Sequence, residues 1–192
     1  MKKALIAIAA ASLCALSFSA SAMTKEEHSA AKSQIDATYK TDKAACDAMT
    51  KNAKDICVAE AKGKDKVAKA ELEAQYKPSP SHDKKIRDTK ANAAYDVAKE
   101  KCDDQTGNAK DVCVKDAKAA HVRAVEAAKV NKAQAEPAAN SAAKAANVAE
   151  TRKDAAEETR EADYKAAKAR CDTMSGAAKD TCVADAKRKF GQ

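Results

Sequence analysis

The sequence predicts an all-α protein of three helix-turn-helix hairpins, about six helices, with alanine-rich, coiled-coil-like packing and one disulfide near each hairpin tip. Three observations carry that expectation. The same paired-cysteine phrase is written three times: ACDAMTKNAKDICVAEAK at 45–62, KCDDQTGNAKDVCVKDAK at 101–118 and RCDTMSGAAKDTCVADAK at 170–187. Ala, Lys, Glu, Gln and Arg dominate and favour helix, while Gly and Pro number only four and three. Bulk is scarce: much of the 45% hydrophobic fraction is alanine, aromatics are 3%, there is no Trp, and the only Leu beyond residue 22 is Leu72. Alanine buries little area per residue, so an ordinary globular core is excluded and long, thin helices are expected.

The first element is a leader. Lys2 and Lys3 form a basic start, an apolar run extends from Ala4 to Phe18, and Ala20-Ser21-Ala22 supplies small residues for cleavage between Ala22 and Met23. The run is short and Ala-rich for a spanning helix, which needs about 20 apolar residues. Leu13 is too bulky to precede a lipid-attached Cys14, so Cys14 is expected to be lost with the leader. The mature protein is therefore expected in the periplasm or secreted. Six of the seven cysteines remain there, an even number in a disulfide-permissive compartment. The formal net charge of +7 falls by two, to +5, with Lys2 and Lys3.

The mature chain divides into hairpin repeats at 23–79, 80–136 and 137–192. The first helix should start at Thr24, with Glu27 three residues on completing a capping box. Gly107, Gly176, Asn52 and Asn108 fall between paired cysteines, where a helix ends and another begins; Asn52 with Asp55 and Asn108 with Asp111 read as N-caps with an acid in the first turn. The prolines lie between copies, in KPSPSH (77–82) and AEPAAN (135–140), and predict weakly coupled hairpins. An unbroken helix would separate cysteines eleven residues apart by about 16 Å, whereas a disulfide needs Cα atoms within about 7 Å. A turn between them brings each pair together, which predicts Cys46–Cys57, Cys102–Cys113 and Cys171–Cys182.

Tyr39, Tyr95 and Tyr164 each stand seven residues before a first cysteine and so share its helix face. They read as packing residues: Tyr39 opposite Gly63 and Lys64, Tyr95 flat on Ala119 and Ala120, and Tyr164 against Lys189 and Phe190.

Candidate chemistry is thin. C-x10-C lacks the short spacing of zinc or redox pairs, and His28, His82 and His121 do not recur at matching positions. Asp47, Asp103 and Asp172 follow the first cysteines, and Glu60, Asp116 and Asp185 follow the second by three. They read as solvated helix surface, with Glu60–Lys64 and Asp185–Lys189 as i,i+4 pairs. No cofactor, metal or catalytic residue is expected, and the chain reads as no enzyme. Interleaved acids and bases without aromatics argue against nucleic acid. Partners are expected to be an envelope protein or a second copy, with weak peripheral contact to anionic envelope surfaces.

The repeated Y-x6-C-D…K-D-x-C-V-x-[DE]-A-K resembles a loose group of Ala/Lys-rich secreted proteins of Gram-negative bacteria. The composition is also similar to TolA-type envelope stalks, although the retained membrane anchor of such stalks is lacking. The resemblance implies a non-enzymatic helical scaffold, spacer or interaction module of the cell envelope. The alternative expectation is a stress-protective or holdase-like protein, since late embryogenesis abundant proteins are similar in composition.

Overall fold

The computed structural model describes residues 23–192; the expected leader, with Cys14 and the residues before the expected cleavage site, lies outside the described residues. Six α-helices run up and down: α1 (Lys25–Ala45), α2 (Lys51–Tyr76), α3 (Pro80–Cys102), α4 (Gly107–Ala135), α5 (Ser141–Cys171) and α6 (Gly176–Phe190). A short 3-10 turn, Cys46–Ala48, follows α1. The described residues contain no strand.

Local chemistry fixes where the helices begin. Thr24 Oγ1 accepts from Glu27 N at 3.1 Å while Glu27 accepts from Thr24 N at 2.8 Å, completing the expected capping box. That backbone hydrogen bond also holds the Glu27 carboxyl below its ordinary pKa. Ser79 accepts from His82 N at 3.1 Å just ahead of Pro80, which suits the first helical turn because it lacks an N–H to satisfy. Asn140 Oδ1 accepts from Ala143 N at 2.8 Å to open α5. The proline segments thus both end one helix and start the next.

Packing is alanine against alanine. The buried apolar residues are nine alanines, Leu72, and Cys46, Cys102 and Cys171. Glu126 is the one buried charged residue among those described, and Lys129 pairs with it at 2.7 Å. Side chains this small let helix axes approach closely. One close approach is at Gly63 of α2, where an added Cβ would stand 2.9 Å from Ala93 Cβ of α3.

Each described helix packs its backbone only against the helix before it and the helix after it. The hairpins α1–α2, α3–α4 and α5–α6 therefore stand side by side in a row, as in a repeat array, and do not close into a bundle. Strict alternation places all three crosslinked tips at one end of the row and the proline junctions at the other. Packing across the prolines is more extensive than the expectation of weakly coupled hairpins implies: α2 packs along α3 and α4 along α5, each more extensively than the helices within the first or third hairpin. At 15 residues α6 covers only part of the 31-residue α5, and α4 takes up more of it; α1 and α3 are nearly equal at 21 and 23 residues, and on the α2–α3 side Gly63 admits Ala93 at close range.

Candidate functional site

The hairpin tips are built alike. Cys46–Cys57, Cys102–Cys113 and Cys171–Cys182 each have Cα atoms 5.6 Å apart, as the eleven-residue spacing predicts. The first cysteine of every pair is essentially inaccessible, at 0%, 0% and 1% exposure, while the second is half-buried. The aspartate after the first cysteine reaches back to the lysine of the repeated Lys-Asp: Asp47–Lys54 at 2.8 Å, Asp103–Lys110 at 2.9 Å and Asp172–Lys179 at 2.9 Å. The hydrogen bond from the lysine holds the Asp47 and Asp172 carboxyls below their ordinary range. These aspartates are therefore tip clasps and not merely solvated surface. Backbone geometry repeats too, with Lys51, Gly107 and Gly176 all left-handed at φ 54°, 56° and 56°.

Between hairpins lies a second set of contacts that reading the copies singly did not reveal. Asn52 Nδ2 donates to Glu100 O at 2.7 Å and to Asp104 Oδ1 at 2.8 Å; Asn108 Nδ2 donates to Asp172 O at 3.3 Å. The N-cap positions belong instead to Thr50 and Thr106, so the N-cap reading of the asparagines is corrected. They tie one tip to the next, because their amides reach carbonyl oxygens at the end of the neighbouring helix, where the regular intrahelical ladder has stopped. One register further along, Glu60 pairs with Lys101 at 3.7 Å and Asp116 with Arg170. The expected pairs Glu60–Lys64 and Asp185–Lys189 do not form; Lys64 reaches Asp42 at 4.0 Å and Arg188 takes Asp185.

Aligning the copies on their cysteines shows that the outermost hairpins depart from this set. Lys101 and Arg170 receive a carboxylate from the preceding hairpin, and their counterpart in the first copy is Ala45. Asn52 and Asn108 have Ala177 as their third counterpart. The tightly packed Gly63 and buried Ala119 have Arg188, and Val97 and Ala166 have Thr41. The contacts that join hairpins are thus absent from the two outward faces. This pattern was available in the sequence, but only to a comparison of what differs among the copies.

The two seams also form counterpart grooves. On the α2–α3 seam, Gly63, Val67, Ala93, Ala94, Val97 and Ala98 line an apolar groove of about 540 Å³, rimmed by Glu60, Lys64, Lys90 and Lys101. On the α4–α5 seam the matching notch, about 370 Å³, is lined by Asp116, Ala119, Arg123, Asp163, Ala166 and Arg170, and Phe190 of α6 closes one side. Val67 and Ala94 of the first groove correspond to Arg123 and Asp163 of the second, which form an ion pair.

The aromatic residues are placed differently from expectation. Phe190 faces that notch, under Lys189 at 5.4 Å, and makes no ring contact with Tyr164, because α6 directs it across α5 toward α4. Tyr95 packs against His121, ring centroids 5.0 Å apart, between Lys99 and Lys118, and not flat on Ala119 and Ala120. Ala119 serves the α4–α5 seam instead. Tyr39 and Tyr164 are half-buried and have no aromatic partner among the described residues. Gly63 turns toward Ala93 rather than toward Tyr39. A further ring pair, His28 on Tyr76 at 4.5 Å with Glu73 3.0 Å from His28 Nε2, clamps the far end of the first hairpin.

Compared with protein-family models, curated proteins and solved structures, the chain matches none. Among the described residues, no three His, Cys, Asp or Glu side chains converge as a metal site, and no helix is long and apolar enough to cross a membrane. Three disulfides are compatible with an extracytoplasmic location.

Proposed function

We propose that this chain is exported, cleaved between Ala22 and Met23, and works in the periplasm or outside the cell as a non-enzymatic scaffold, spacer or interaction module. One observation carries the reading. The helices form a single row whose register is set by crosslinked tips and by contacts between tips, and a row leaves both broad faces accessible. Such a body holds surfaces at fixed spacing. The asparagine and ion-pair contacts missing from the outward faces favour a body of defined length over an open polymer. The leader-like first residues and the resemblance to Ala/Lys-rich secreted proteins point the same way.

Crosslinking in intact cells, followed by recovery of the oxidised protein, tests the reading. One stoichiometric envelope partner is expected. Suppression of aggregation of unrelated clients by the purified protein, with no such partner, would favour the holdase-like alternative. Intact-mass measurement is expected to show a chain beginning at Met23 without lipid; a diacylated Cys14 would overturn the processing.

A further inference from the structure

The α2–α3 groove differs from its counterpart in a way that specifies an occupant. At α4–α5 the floor is interrupted by the Arg123–Asp163 pair, and an aromatic side chain of the same chain, Phe190, lies against the notch. At α2–α3 those positions are Val67 and Ala94, Val97 replaces Ala166, and the groove is the larger of the two. No aromatic residue of the described chain lines it. The charge around them differs as well. Phe190 follows Lys187, Arg188 and Lys189 and meets a balanced notch, in which Asp116 pairs with Arg170 and Asp163 with Arg123. The open groove is bordered by three lysines and one glutamate. Lys90 is held by Glu71 at 2.7 Å, but Lys101 and Lys64 lie 3.7 Å and 4.0 Å from their carboxylates, loose enough to turn to another.

Resting on the interaction-module reading, we propose that the α2–α3 groove docks an aromatic side chain carried on an acidic peptide segment of a partner protein. The ring lies over Val67, Ala93 and Val97 as Phe190 lies against the counterpart notch, and flanking carboxylates meet Lys64 and Lys101. Apolar burial supplies affinity, and the lysine rim selects the sign of the flanks. A second copy inserting its own Phe190 would bring three basic residues to that rim, so it is the disfavoured occupant.

The experiment uses the oxidised protein and two peptides, Glu-Asp-Phe-Glu-Asp and Lys-Arg-Lys-Phe-Gly-Gln, followed by amide shifts and calorimetry. The acidic peptide is expected to shift residues 63–67 and 93–98 and to bind more weakly as salt rises. Val67→Arg with Ala94→Asp, which installs the ion pair already present at the counterpart notch, should weaken binding at least about tenfold with helicity unchanged, because the ring then loses its apolar floor. No binding, shifts elsewhere, or equal binding of the basic peptide would overturn the proposal, and the wild-type shifts decide it even if that variant misfolds. A cellular partner recovered through residues outside the groove overturns the docking site and leaves the module reading standing. Groove binding without any recoverable partner supports the site and sinks that reading.

Discussion

Lys51 shows how a single backbone angle can be read across the hairpins. Its φ of 54° matches those of Gly107 and Gly176 at the corresponding tips, and an L side chain in that region costs about 1–2 kcal/mol. Lys51→Gly is expected to stabilise the protein by about 0.5–1 kcal/mol, the gain being trimmed by the added freedom of the unfolded chain. Gly107→Ala should cost a similar amount; urea midpoints at constant m-value measure both. His121 sets a pH dependence. Burial, then Lys118, pulls its pKa below the ordinary value, against opposing pulls from Asp96 and Asp88, while Nε2 lies 2.6 Å from Asn92 Oδ1. A base whose folded pKa is depressed favours the fold fully above its unfolded pKa of about 6.5, and that contribution is lost as pH falls from there through the folded value. Chemical denaturation at pH 7.5 and pH 5 should show the loss, and His121→Gln should reduce it. Thr24 and Glu27 were legible in the sequence because a capping box is complete within four residues. The tilt of Tyr95 onto His121 was not, since it depends on which side chain of the facing helix has room.

Helix against helix, Gly63 and Ala93 are the pair to perturb. Gly63→Val should destabilise the protein by about 1–3 kcal/mol through overpacking. Gly63→Ala gains helix propensity, about 1 kcal/mol, but meets Ala93 Cβ at 2.9 Å. Adding Ala93→Gly should therefore relieve Gly63→Ala by more than Ala93→Gly changes the wild type, and a double-mutant cycle reads that coupling directly. Asn108→Ala should cost about 1 kcal/mol and lower amide protection around residue 172. The helices themselves were legible because Ala, Lys and Glu dominate and the prolines mark the breaks. The Asn52 and Asn108 contacts were hidden because their acceptors, on Glu100 and Asp172, are 48 and 64 residues away, and nothing within one copy reports that another lies alongside. Asp47 is exposed, as read, but its pairing with Lys54 was hidden for a different reason: the lysine is brought close only once the tip has turned.

For the assembled row, the crosslinks and the seams act together. Closing a loop of this size contributes about 3 kcal/mol by restricting the unfolded chain. Weakly joined hairpins would confine the effect of Cys102→Ser with Cys113→Ser to α3 and α4. The continuous α2–α3 and α4–α5 packing instead predicts that amide protection also falls in α2 and α5. Removing Cys46 and Cys57, in a hairpin with one neighbour, should disturb less. Hydrogen exchange on both variants distinguishes the cases; unchanged protection in α2 and α5 would mean that the seams do not couple the hairpins. That coupling was beyond the sequence because prolines disclose where a helix stops but not how closely the next one returns.

With every crosslink at one end of the row, a single backbone scission has two different outcomes. Cut once between Cys102 and Cys113, the polypeptide is still one molecule, because the sulfurs bridge the break. Cut once in the segment 136–140, it is two molecules held by contacts alone. The protein thus carries its bridged joints where the chain turns beside a disulfide and its severable ones at the prolines, so of its turns only those at the far end let a single cut take it apart.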